Sequence, residues 1–147
     1  MSGHLRKPIA LVTCVFALGF AAGPAQAGPT TMEKRLVKHI NTARAAHGLR
    51  PLKIGYRLNA GARLWSRYLV RRDSFHHASN LGPAKGEIIA WGTCNYLTPR
   101  QAVRMWLNSP GHRALMLRPG FRFVGTGWTR GPWRSYGCVK MAVARFR

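Results

Sequence analysis

Acidic residues are nearly missing from this chain. Glu33, Asp73 and Glu87 are the only three among 147 residues, set against 24 Lys and Arg. That shortage leaves little material for general acid–base chemistry, which needs a positioned proton acceptor beside the reacting group. Cysteine is also scarce, with Cys14, Cys94 and Cys138 alone, and no Cys-x-x-Cys spacing suggests a thiolate metal site. There is no His-Glu-x-x-His helix, no phosphate-cradling glycine loop and no Gly-x-Ser-x-Gly elbow, so three common catalytic designs are excluded. Repeats and low-complexity tracts are absent too. Beyond the first residues, no apolar run is long enough to span a bilayer.

What is present begins with a leader. Arg6 and Lys7 precede an uncharged apolar core from Ile9 to Ala22, too short to span a bilayer comfortably, and Ala25-Gln26-Ala27 is a small-x-small cleavage signal. The pattern predicts a signal peptide over residues 1–27, cleavage after Ala27, and an exported chain. Cys14 lies inside the apolar core, and Thr13 before it makes a poor lipoprotein-type site. The mature chain, residues 28–147, fits one domain with one core and is expected to act as a monomer. Losing Arg6 and Lys7 leaves 22 Lys and Arg against the three acids, a net +19. An Ala-, Gly- and Arg-rich composition accounts for part of this charge, and attraction to anionic lipids or wall polymers is its functional counterpart. The basic residues are spread along the chain, which favours a generally cationic surface over a recognition patch. Export argues against nucleic acid as the partner. Cys94 and Cys138 are expected to pair, closing a long loop at a gain on the order of 3–4 kcal/mol.

Hydrophobic periodicity predicts a helix from Met32 to about His47, capped by Thr31 and ended by Gly48. Gly48 to Leu52 reads as a turn. A second helix is expected from Tyr56 to about Arg72, with Leu58, Ala62, Trp65 and Leu69 as its apolar stripe. A loop then carries Phe75-His76-His77-Ala78-Ser79. Glu87 to Trp91 reads as a strand. Thr98-Pro99-Arg100-Gln101 is a helix start with a capping-box residue, and that helix ends near Leu107. Ser109-Pro110 repeats the signal, with Ser109 as N-cap and His112 third in the next short helix. Phe121 to Thr129 reads as a strand, Gly131-Pro132 as a turn, and Trp133 to Phe146 as a last strand broken near Gly137. Helices first, then strands and helices intermixed, predict an α+β fold.

Glu87 is the conspicuous residue. It sits in an apolar strand-like run, where an unpaired charge is costly, and the nearest suited partners are His76, His77 and His112. Two neutral imidazoles and a carboxylate are a plausible first set of ligands for zinc with an open fourth position. The same residues can instead form a hydrogen-bonded structural network, which spacing alone favours. His112 near a helix start has its cationic form disfavoured by the dipole. Neither Glu33 nor Asp73 is obviously placed as a base, and a Ser79 or Ser109 nucleophile with His and Glu87 is conceivable.

Several segments together resemble the CAP superfamily of cysteine-rich secretory, antigen 5 and pathogenesis-related 1 proteins, in its bacterial secreted form. They are Asn41-Thr42-Ala43-Arg44, Gly48 to Leu52, Phe75 to Ser79, Gly86 to Gly92, Trp106 to Arg113 and Val124 to Gly127, in the family's order across the mature chain. The resemblance implies an α-β-α sandwich with a small, mostly antiparallel sheet covered by helices on both faces. It also implies a central cleft with a His–Glu–Glu–His tetrad that binds zinc in some members. His77 (with His76 as alternative), Glu87 and His112 match three tetrad positions, while Ser109 stands where the second Glu is expected. The family has no single shared activity, so fold does not settle function. The expectation is a secreted, non-enzymatic protein binding a lipid, wall or other envelope ligand in its cleft. The alternative is a metal-dependent, peptidase-like hydrolase, with zinc as its cofactor.

Overall fold

A computed structural model describes residues 28–147. The expected leader and Cys14 lie outside the described residues. The elements run α1 (Thr31–Ala45), β1 (Lys53–Ile54), α2 (Tyr56–Arg71), β2 (Gly86–Thr93), α3 (Pro99–Leu107), α4 (Pro110–Met116), β3 (Phe123–Trp133) and β4 (Gly137–Phe146). The strands form one sheet in the order β1-β3-β4-β2, with β1 parallel to β3 and the other pairs antiparallel. The expected mostly antiparallel sheet is therefore present.

Strand alternation divides the core into two layers, because successive side chains point to opposite faces. Ile88, Ala90, Ala142, Ala144 and Phe146 pack with Leu36 and Ile40 of α1 and with Ala102, Val103 and Trp106 of α3. Ile89, Met141 and Val143 pack on the other face with Ala62, Leu69 and Val70 of α2. Helices thus cover both faces, as an α-β-α sandwich requires. A Cβ at Gly125 would run into the backbone of Leu58 and Asn59, and one at Gly127 into that of Ala62. These two glycines let α2 lie directly on β3, backbone against backbone.

Local signals account for most boundaries. Thr30, not Thr31, caps α1, and it forms a full capping box with Glu33. Thr98 Oγ1 accepts the Gln101 N–H at 3.2 Å at the start of α3. Ser109 holds the N-cap position of α4 by backbone, but its side chain makes no capping bond. The two-residue β1 has no counterpart in the sequence reading, because so short a segment carries no periodicity. Gly131-Pro132 is not a turn. β3 continues through Trp133, where Trp133 pairs with Gly137, and the chain reverses over residues 134–136. Pro132 is accommodated because β3 ends there beside the hairpin turn. Cys94 and Cys138 are disulfide-bonded, with Cα atoms 5.4 Å apart, joining the loop after β2 to the start of β4.

Candidate functional site

β2 is an edge strand, and the site is built along it. One side of the edge is closed by β4. On the other, Trp106 of α3 donates its indole N–H to the Ile89 carbonyl at 3.0 Å, satisfying an edge group that would otherwise lack a strand partner. The α3–α4 corner and the loop after α2 then face each other across this edge.

Glu87 lies directly opposite Arg145 in the β2–β4 register, on the α2 face of the sheet. Arg145 Nε donates to Glu87 Oε2 at 2.8 Å, and both side chains are at least nine-tenths buried. Gly61 of α2 makes room for the guanidinium, since a Cβ there would approach Arg145 Nη1 to 2.9 Å. The second oxygen, Oε1, accepts the Ala78 N–H at 3.0 Å and meets His77 Nδ1 at 3.2 Å. The carboxylate is therefore satisfied on both oxygens and neutralised by a cation. Histidine was the expected partner, but arginine is the closer and permanently charged one.

His77 and His76 separate cleanly. His77 reaches Glu87 and is about half exposed. His76 turns towards α2, where its ring meets Trp65 and Tyr68 edge-on at 5.3 and 6.3 Å, and its Nδ1 lies 3.0 Å from the His77 carbonyl oxygen. His112, from α4, stands 6.2 Å from His77 ring to ring. Burial, and then the charge of His77, lower its pKa below the ordinary histidine value, so its imidazole is held towards the neutral form. Among the described residues no hydrogen bond joins His112 to Glu87, and no three His, Cys, Asp or Glu side chains form a group that holds a metal. Zinc, which the family implies, does not fit this arrangement well: the two imidazoles are available, but the carboxylate is already engaged by Arg145, Ala78 and His77.

Beside His112 a cavity of about 270 Å³ opens between Phe75, Ile89, Ala90, Trp91, Met105, Trp106 and Ser109. Its walls are mostly apolar, and Phe75 and Met105 among them remain partly exposed. Ser109 also lines this cavity and adds no charge.

The other two acids are structural. Glu33 is fully buried and takes Arg63 Nε and Nη2 at 2.8 and 2.6 Å, the Thr30 N–H at 2.7 Å and Asn59 Nδ2 at 3.2 Å. Asp73, in a left-handed conformation (φ 51°), accepts the Arg134 N–H at 3.0 Å and ties the β3–β4 turn to the end of α2. Sequence reasoning missed Arg145, Arg63 and Asn59. One signal was available: Arg145 interrupts the apolar run of β4 just as Glu87 interrupts that of β2.

Residues 37–144 match the sequence model of the cysteine-rich secretory protein family, CAP. The chain belongs to the CAP family. YkwD of Bacillus subtilis is 34% identical over 110 residues, covering 65% of this chain and 42% of YkwD. The CAP chain described here thus spans less than half the length of that relative. Among solved structures, an outer surface protein of Borrelia burgdorferi superposes with a TM-score of 0.59 at 16% identity, over 84% of this chain and 97% of that one. An extracellular SCP-domain protein of Bacillus anthracis gives 0.56 at 20% identity, over 80% of this chain and 45% of that one. At these identities the structures establish the CAP fold. Among the described residues no helix is long and apolar enough to cross a membrane.

Proposed function

We propose that this CAP domain is an exported, non-enzymatic binding protein that holds the apolar part of an envelope ligand, a lipid or a wall component, in the cavity beside His112. The observation that carries this reading is the lining: five large apolar side chains, Phe75, Ile89, Trp91, Met105 and Trp106, surround about 270 Å³, with only His112 and Ser109 polar. Small-ligand sites are mostly apolar with a few convergent polar groups. His112 held towards neutrality suits such a site better than a charged imidazole, because an apolar ligand would strip a cation of water. The cationic surface, with 22 Lys and Arg against three acids over residues 28–147, draws the exported protein to anionic envelope material.

The test uses an uncharged fluorescent apolar probe, N-phenyl-naphthylamine, titrated into the folded protein. Saturable enhancement is expected, together with its loss in Met105→Glu and its displacement by extracted envelope lipid. A folded protein that produces no saturable enhancement refutes the reading.

Metal-assisted hydrolysis at His77, Glu87 and His112 is the competing reading. In its favour stand two imidazoles facing each other at 6.2 Å. Against it stand the commitment of Glu87 to Arg145 and the lack, among the described residues lining the cavity, of a carboxylate to act as base. Zinc that copurifies with the wild type and is lost in His112→Ala would restore it.

A further inference from the structure

Two residues before Phe75, the chain builds a second pocket. Arg71 and Arg72 at the end of α2, Asp73, and Arg134 in the β3–β4 turn line a cavity of about 350 Å³. Three arginines and one aspartate line it, and one oxygen of that carboxylate already accepts the Arg134 backbone N–H. The pocket therefore carries an excess of positive charge on a frame tied between helix and hairpin. Arginine presents a planar fork of donors that matches phosphate oxygens in pairs.

Exposed aromatic residues lie close to the pocket residues along the chain. Tyr136, two residues beyond Arg134, is 54% exposed, and Phe75, two residues beyond Asp73, is 46% exposed. Tyr136 packs on Trp91 at 4.7 Å between ring centres, and Trp91 together with Phe75 lines the apolar cavity. A free phosphate ion makes no use of exposed rings. A lipid headgroup does, because aromatic side chains beside a charged site settle at the boundary between polar and apolar layers.

We propose that Arg71, Arg72 and Arg134 form a phosphate-binding site for the headgroup of an anionic phospholipid, and that Phe75 and Tyr136 enter the lipid surface beside it. This rests on the reading of the protein as an envelope binder and adds an orientation. Docked in this way, the protein turns the shared Phe75 wall of its apolar cavity towards the lipid.

The experiment is cosedimentation of the mature protein with vesicles of phosphatidylglycerol and phosphatidylcholine, and with phosphatidylcholine alone, at about 0.15 M salt. Arg72→Glu with Arg134→Glu should weaken binding to the anionic vesicles about tenfold or more, since each basic side chain at an anionic surface contributes substantially. Lys34→Glu with Arg35→Glu, an equal charge change on exposed positions of α1, should weaken it by about threefold at most. Phe75→Ser with Tyr136→Ser should weaken it about threefold or more at unchanged charge. All of these positions are exposed, and circular dichroism confirms that each variant is folded.

Equal losses in the two charge-reversed variants would overturn the site and leave only diffuse attraction. Release from vesicles by inorganic phosphate at constant ionic strength, with no effect of the aromatic changes, would overturn it in favour of a free-ion site. Probe binding in the apolar cavity is read independently, so failure here does not decide that reading.

Discussion

Glu33 and Glu87 are both buried carboxylates facing an arginine, yet their surroundings differ. Glu33 is enclosed by the start of α1 and by α2. Arg63 grips both of its oxygens, and the Thr30 N–H and Asn59 fill the remaining positions. Around it Thr126 bonds to the Glu33 carbonyl at 3.1 Å and to Asn59, so three elements close on one charge. Glu87 has the same kind of partner in Arg145, but its outer oxygen ends at a half-exposed histidine in a cleft. The Glu33 carboxylate is closed in by buried or mostly buried partners, whereas the Glu87 carboxylate, equally buried, ends on one side at an exposed imidazole. The closed pair joins elements together. The open pair anchors the loop after α2 and leaves the His77 imidazole half exposed, 6.2 Å from His112.

The contrast ranks the expected costs of breaking each pair. Glu33→Gln should be the most damaging, because it sets an uncharged amide at a fully buried position where Arg63, Thr30 and Asn59 all donate to a carboxylate. Removing one member of a buried pair costs about 3–5 kcal/mol, a large part of a domain's stability. Urea unfolding measures it, and a loss below about 1 kcal/mol would show the network to be dispensable. Glu87→Gln should cost less, about 2 kcal/mol, because its carboxylate accepts one guanidinium bond rather than two and one of its partners, His77, is half exposed. If the order of these two losses were reversed, the distinction between closed and open pairs would be wrong.

Acid should separate them further. Burial works to raise the Glu33 pKa, but the hydrogen bonds from Arg63, Thr30 and Asn59, with the Arg63 charge, outweigh it and hold the group below its ordinary value of 4.5. Its folded-state pKa is depressed, so its contribution is complete above the unfolded value and is lost as pH falls through the folded one. Stability measured from pH 5 downwards should therefore drop in the wild type and drop less in Glu33→Gln. His112 gives an earlier and smaller effect of the same sign. Its folded pKa lies below its ordinary 6.5, so the unfolded chain binds its proton first and stability declines as pH falls from 6.5. Imidazole NMR titration should place His112 below 6.5, and His77→Ala should move it upwards by removing a neighbouring charge. The smallest effect is the stability of His77→Ala itself, within about 0.5 kcal/mol, because the ring is half exposed and Arg145 still neutralises Glu87.

Most of the architecture is legible in the chain. The helix starts at Thr98-Pro99 and Ser109-Pro110 and the apolar stripe of α2 are local signals that tertiary packing reinforces. The hairpin is misplaced by sequence because Gly131-Pro132 is a strong turn signal on its own, whereas the β3–β4 ladder, running to Trp133 and Gly137, carries the strand through it. At the site, Glu87 and His112 can be singled out because each is chemically odd for its surroundings. Which of His76 and His77 faces Glu87 depends on the course of an irregular loop, and no periodicity encodes that. Arg145 is hidden among 24 basic residues, where one more cation attracts no notice unless its strand neighbours are weighed. The apolar cavity needs three separate segments to converge and has no local signature.

The contact between α2 and β3 has a consequence of its own. With no side chain at Gly125 or Gly127, the spacing of helix and strand is set by peptide groups, whose size cannot be altered by mutation. Elsewhere in a core, a larger or smaller residue can shift a layer by a fraction of an ångström and retune a neighbouring site. Here that adjustment is unavailable, and Arg145, seated over Gly61 on the same helix, inherits the fixed position. Variation in shape among chains built this way is therefore left to the free ends of the sandwich: the loop bearing Phe75, the corner bearing Met105 and Ser109, and the hairpin tip bearing Arg134.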